Sequence, residues 1–286
     1  MVNDNYKVIL FYKFVEIKDP RALMASQKKI GASLGLQGRI LIAEEGINGT
    51  LEGRSNEIET YKQQLRENPL FQDLVFKESA GTGRAFNRLE IKVRPEVVTL
   101  GAGKFDIGRE TAKEITAEEL KALYDNKEDF VVLDLRNDFE IKAGYFEKTV
   151  NPELQNFRDL PGKLPELAYL KDKKVIAVCT GGIRCEKATC LMKKEGFKNL
   201  YQLKDGIHTY MQMYPGRHFK GSLFVFDNRL TTPIVETADR EIVGECIYCA
   251  RKCEDFYSDD RARPSLKVIC CNTCIKQHEG ELRQCS

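Results

Sequence analysis

No cysteine occurs in the first 178 of 286 residues, histidine occurs only three times, and no apolar run approaches bilayer length. A helix crossing a membrane needs about 20 consecutive apolar residues, so a spanning helix is excluded on length. The opening run MVNDNYKVILFYKFV has no basic leader and no small-residue cleavage site, and reads as a strand rather than a signal peptide. Charge of one sign is also missing. Net charge is +2, and by segment the balance is about +3 for 1–105, +1 for 106–220 and −2 for 221–286. No basic field announces nucleic acid, although the mildly basic first segment permits RNA contact. A disulfide scaffold would spread its cysteines as staples, and this chain does not. Three of its ten cysteines lie at 179, 185 and 190, and seven between 246 and 285. That clustering fits a reducing, cytoplasmic setting with one reactive site and one metal site.

Length predicts two domains or a domain with extensions. Residues 6–15 read as a β-branched, aromatic strand, and Pro20 opens a helix with Leu23, Ile30 and Leu34 on one side. GRILIAEEGINGTLEG reads as two strands about a Gly/Asn turn, and SNEIETYKQQLRENP as a helix capped at Ser55–Asn56 and ended by Pro69. With the strands FQDLVFKESAG and NRLEIKVRPEVVTLG, the order is β-α-β-β-α-β plus one strand, a ferredoxin-like α+β sandwich over 1–105. A connector over 101–115 leads to a second unit over 112–220. Its strands FVVLDLR, KKVIAVC and FKNLYQL alternate with helices, including LPELAYLKD, CEKATCLMKKEG and DGIHTYMQMYP. This alternation predicts an α/β domain with a parallel sheet. Residues 221–286 supply a return strand, GSLFVFDNRLTTPIV, and a Cys-rich tail.

Cys179 closes the apolar strand KKVIAVC and is followed by Thr180, Gly181, Gly182, Ile183 and Arg184 before a helix begins. Sites of open α/β sheets form at the carboxyl ends of strands. Two glycines let the backbone curl so that N–H groups converge as an anion nest at a helix N-terminus, and Arg184 adds permanent positive charge. Such settings lower a cysteine pKa from about 8.5 into roughly the 3.5–7.5 range, which makes Cys179 a thiolate nucleophile. Cys185, at the helix start, is placed to resolve an oxidised or persulfidic Cys179. Cys190 reads as core. Four residues separate Cys179 from Arg184, one fewer than in Cys/Arg phosphatase loops, so the loop fits a sulfur-sized group rather than a phosphate.

In the tail, Cys246-x2-Cys249 and Cys271-x2-Cys274, with 21 residues between the pairs, have zinc-ribbon spacing. Cys253 and Cys270 are surplus thiols, and His278 is a substitute ligand. In the first domain, Arg84, Arg88, Lys92 and Arg94 recur near Phe86, a ring able to stack on a base. Contacts of this kind to phosphate weaken steeply with salt.

The runs FVVLDLRNDFEIKAGYFEKTVNP, CTGGIRCEKA and LKDGIHTY resemble the rhodanese family, with Asp134, Arg136 and Glu140 at its usual polar positions and Tyr210 where many members carry Trp. GINGTLEG (46–53), AFNRLEIKVRPEVVTLG and GSLFVFDNR (221–229) are similar to one rhodanese-containing group, the tRNA uridine-34 hydroxylases. The resemblance covers roughly residues 5–235, and the tail departs from it at Cys270–Cys271, where the group usually reads Asn-Cys. It implies 5-hydroxyuridine formation at the wobble position in the tRNA anticodon loop, with molecular oxygen and a reductant as co-substrates and Cys179 as thiolate or persulfide. The residues themselves establish only an anionic or persulfidic sulfur. A persulfide sulfurtransferase and a redox-sensing binding module are the alternatives, and the N-terminal domain favours the hydroxylase over a bare sulfurtransferase.

Overall fold

The computed structural model describes residues 5–238, 240–262, 265–278 and 280–285. The chain forms two compact units, residues 1–101 and 102–286. No helix among the described residues is long and apolar enough to cross a membrane.

The first unit runs β1 (Tyr6–Phe14), α1 (Pro20–Ser33), β2 (Gln37–Ala43), β3 (Gly46–Arg54), α2 (Ser55–Arg66), β4 (Phe76–Ala80) and β5 (Leu89–Val93). The sheet order is β4-β1-β3-β2-β5. Its first four strands are antiparallel, as in a ferredoxin-like sandwich, and β5 is the extra strand, parallel to β2 at the edge. Alternation along the strands and helical spacing along α1 and α2 bring Ile9, Phe11, Ile40, Ile42, Ile47, Leu51, Ile58 and Tyr61 into one core. Each such fully buried apolar side chain contributes roughly 1.5–3 kcal/mol. The Asp19 carboxylate caps α1 by accepting the N–H of Arg21 and Ala22. The cap of α2 differs from the expectation. Arg54, not Ser55, is the N-cap, and its backbone N–H is held by the Glu57 side chain at 3.0 Å.

The second unit begins α3 (Ile107–Glu110), β6 (Lys113–Ile115), α4 (Ala117–Asp125), β7 (Val131–Asp134), α5 (Asp138–Ile141), β8 (Gly144–Phe146) and β9 (Thr149–Val150). It continues α6 (Leu160–Lys163), β10 (Lys174–Val178), α7 (Ile183–Lys194), β11 (Asn199–Leu203), α8 (Gly206–Met213), β12 (Phe219–Gly221), β13 (Leu223–Phe224) and β14 (Thr231–Thr232). The tail adds β15 (Phe256–Asp259), β16 (Leu266–Ile269), α9 (Asn272–Gln277) and β17 (Leu282–Gln284). The central sheet is β6-β11-β10-β7-β9, all parallel, with β10 in the middle. A central parallel strand is buried on both faces, which is why Lys174–Val178 reads as an unbroken apolar run. Tyr210 belongs to the core beneath it, packing edge-on against Phe146 at 4.8 Å.

Two expected elements take other forms. The segment LPELAYLKD holds only a short 3-10 turn at Ala168–Leu170, its N–H groups bonding three residues back, Leu167 to Leu164 and Ala168 to Pro165, rather than four. The expected return strand over 221–235 is two two-residue strands, β13 and β14, paired antiparallel. A turn closed by Asp227 on the Arg229 N–H at 3.0 Å, together with Leu230 at φ 60°, reverses the chain between them.

Candidate active site

Cys179 follows β10 directly and is fully buried. Gly182, at φ 102°, is the N-cap of α7, and its N–H donates to the Cys179 sulfur at 3.2 Å. The backbone N–H groups of Arg184 and Cys185 also point at the sulfur, so the expected amide nest is formed. Burial by itself pushes the thiol up. Against it act the Cys185 thiol, which donates to the sulfur, the Arg184 charge and the nest amides, and together they bring Cys179 from 9.0 down to about 6. Cys185 is shifted the opposite way, well above 9.0, first by burial and then by the hydrogen bond and charge of Cys179. Two thiols six positions apart thus divide the roles: one thiolate and one proton-bearing donor.

Arg184 is itself buried, at 8% exposed, and a buried charge must be paired. Its two terminal nitrogens donate to the two Glu140 carboxylate oxygens at 2.7 Å each. Glu140 Oε2 also accepts the Asn137 N–H at 2.9 Å, which orients the carboxylate from the first turn of α5. Beside this pair lies another with no exposure, where Arg136 Nε and Nη2 donate to Asp134 at 2.9 and 2.6 Å. Arg136 Nη2 also reaches the Gly144 carbonyl at 2.7 Å, tying the end of β7 to β8.

The loop is clamped from the far side by the start of α8. The N–H groups of Ile207 and His208 donate to the carbonyls of Cys179 and Thr180, each at 3.0 Å. Gly206, at φ 72°, makes this approach possible: a Cβ there would stand 2.7 Å from backbone atoms of Cys179, Gly181 and Gly182. Ile183 is partly exposed. The Thr180 hydroxyl is buried without a hydrogen-bond partner among the described residues. Cys190 is buried and donates to the Glu186 carbonyl at 3.1 Å, a core position.

A family model for a rhodanese-like domain matches residues 116–213, one for a UPF0176 acylphosphatase like domain matches 6–97, and one for a rhodanase C-terminal region matches 220–286. The tRNA uridine(34) hydroxylase of Onion yellows phytoplasma (strain OY-M) is 39% identical over 274 residues, covering 94% of this chain and 88% of the relative. This chain belongs to the tRNA uridine(34) hydroxylase family. A member from Cytophaga hutchinsonii is 36% identical over 281 residues (98% of this chain, 86% of the relative), and one from Bacillus licheniformis is 36% identical over 273 residues (94% and 84%).

In this member of the family, the sulfur atoms of Cys246, Cys249, Cys271 and Cys274 all lie within 4.8 Å of one another. Four thiolates at about 2.3 Å from a tetrahedral Zn²⁺ stand about 3.8 Å apart, so the donor set fits that ion in number, type and spacing. The Cys249–Cys271 separation of 3.7 Å matches a tetrahedral edge. Cys253 and Cys270 stand outside the four, and burial pushes their thiols up to about 11 and about 12. His278 instead stacks on Tyr248 at 3.7 Å and pairs with Glu281 at 2.9 Å.

The basic residues of the first unit are less free than their spacing suggests. Arg88 and Lys92 both reach Glu90, at 3.1 and 2.8 Å, and Arg39 joins them at 3.6 Å. Lys92 lies on β5, Arg84 in the exposed loop before it, and Arg94 just past its end, exposed. The face is a carboxylate ringed by three cations. Arg39 had no signal in the sequence because it reaches this face from the neighbouring strand β2.

Proposed function

We propose that this chain hydroxylates uridine 34 of tRNA to 5-hydroxyuridine, with Cys179 as the reacting sulfur and Arg184 and Cys185 setting its ionisation. The observation that carries the reading is the thiolate nest at Cys179, in a chain matched almost end to end by the hydroxylase family. A sulfurtransferase needs only the rhodanese-like domain, and this chain also carries the acylphosphatase-like domain and the C-terminal region. Hydroxylation consumes one O₂, two electrons and two protons. One oxygen atom is inserted into the C–H bond at the base carbon to give C–OH, the other leaves as water with the two protons, and a two-electron reductant supplies the electrons. The residues of the loop keep the sulfur anionic near neutral pH, whether it reacts as thiolate or as persulfide, and Cys185 carries a proton beside it.

Arg84, Arg88, Lys92 and Arg94 hold the tRNA backbone in this reading, and the reaction takes place in the cytoplasm, where thiols stay reduced. Cys246, Cys249, Cys271 and Cys274 hold a structural Zn²⁺ that supplies folding energy rather than chemistry.

The test is nucleoside mass spectrometry of tRNA lacking this modification after incubation with the purified chain, ¹⁸O₂ and a reductant. One labelled oxygen in 5-hydroxyuridine is expected. A thiolated base in its place overturns the hydroxylase reading in favour of sulfur transfer.

A further inference from the structure

Phe226 lies in GSLFVFDNR and is 56% exposed, a large apolar ring facing solvent. It is firmly braced. Its ring stands perpendicular to Phe224 at 5.3 Å (79°) and to Phe139 at 6.4 Å (81°). Phe224 is 1% exposed and packs in turn against Phe256 at 5.0 Å. The next residue, Asp227, is locked by Arg229, whose Nε and Nη2 donate to its two oxygens at 2.8 and 2.6 Å. The fold therefore fixes an exposed aromatic ring on a rigid turn.

Its neighbour gives the ring a meaning. The guanidinium carbon of Arg184 lies 5.9 Å from the Phe226 ring centroid, and Arg184 is the residue whose N–H and charge hold the Cys179 thiolate. Both terminal nitrogens of Arg184 are engaged by Glu140, so the arginine is poorly placed to bind a phosphate. What this edge of the site offers a substrate is the aromatic surface. An exposed ring next to the arginine that faces the Cys179 sulfur suits a flat, unstacked ligand, and enzymes acting on a base take it out of its stack. We propose that Phe226 is the stacking platform for the target base, so that the site accepts an unpaired pyrimidine of a single-stranded loop turned out onto this ring. The proposal rests on the hydroxylase reading for the identity of the base.

The chain contains no tryptophan, so Phe226→Trp creates a single tryptophan, excited selectively at the red edge apart from the eleven tyrosines. It is titrated with an anticodon stem-loop RNA carrying uridine at the wobble position, and with the same RNA carrying an abasic ribose there. Quenching by the first RNA, with at least tenfold weaker response to the second, is expected. Phe226→Leu should lower kcat/KM about tenfold to a hundredfold, mainly through KM, the range of one base–aromatic stack. Phe226→Tyr should recover most of that loss. The pH profile of Cys179 alkylation stays unchanged in Phe226→Leu, which separates a lost platform from a collapsed site. Equal quenching by both RNAs, or unaltered kcat/KM in Phe226→Leu, overturns the platform. If the unaltered chain forms no 5-hydroxyuridine, the hydroxylase reading fails, while the stem-loop titration still decides whether a base stacks on this ring.

Discussion

At the scale of single residues, a fully buried sulfur stays ionised because several partners outweigh its desolvation. An acid deprotonates above its pKa, so Cys179 should be mostly thiolate at pH 7 and lose that form as pH falls through about 6. Its alkylation rate, followed by mass spectrometry against pH, should be half-maximal near pH 6, and Arg184→Ala should move the midpoint to higher pH. Cys179→Ser should abolish tRNA modification with the fold intact, since a hydroxyl is nearly isosteric but a far poorer nucleophile. Full modification by that variant would remove Cys179 from the chemistry. Glu140 carries a different load. Removing one partner of a buried ion pair strands the other charge, so Glu140→Ala should cost about 3–5 kcal/mol in denaturant unfolding. Cys179 and Arg184 were legible in the sequence because strand, glycines and arginine follow one another. The Glu140 pairing was not, since Glu140 lies 44 positions before Arg184 and only the folded sheet joins them.

At the scale of elements, the Cys179 loop is held between two helix starts, α7 supplying amides to the sulfur and α8 supplying amides to the loop carbonyls. Gly206 sets the distance between them. Gly206→Ala puts a Cβ 2.7 Å from three backbone atoms at a positive φ, so either α8 retreats or the loop deforms. A loss of about 1–3 kcal/mol in thermal unfolding, with a raised Cys179 alkylation midpoint, is expected. An unchanged midpoint would mean that α8 does not shape the nest. The sequence shows a glycine after Asp205 but not what approaches it, because a close backbone contact leaves no periodic trace. Local signals did carry the first unit, where the β-branched and aromatic run YKVILFYKF is β1 and SNEIETYKQQLR is α2, with Ile58, Tyr61 and Leu65 buried. Periodicity failed at LPELAYLKD, whose apolar spacing suits a helix but whose backbone bonds run three residues back as a 3-10 turn. It failed again at 221–235, where an Asp–Arg turn overrides a strand-like composition.

At the scale of the whole chain, the cysteine-rich region and the site meet through aromatic packing within the second unit. The Ile247 N–H donates to Ile269 at 2.9 Å, which joins the first CxxC segment to β16, and the second CxxC follows that strand. Ile269 lies opposite Phe256 in the β15–β16 ladder, Phe256 packs on Phe224, and Phe224 braces Phe139 and Phe226 around α5. The amides that face the sulfur come from Gly182 and the start of α7 and include none of these residues, although Glu140, which pairs with Arg184, shares α5 with Phe139. Losing the proposed zinc should therefore split two properties that a general unfolding would lose together. Purified chain should hold about one zinc, and Cys249→Ser or a strong chelator should release it. The β15–β16 ladder then loses the crosslink at its end, Phe256 loosens, and the aromatic brace slackens. KM for tRNA should rise while the Cys179 alkylation midpoint stays near pH 6. If metal content and KM are both unchanged in Cys249→Ser, the four cysteines hold no ion that matters to the site. If the alkylation midpoint shifts as well, the tail supports the nest directly, by a route other than the aromatic chain.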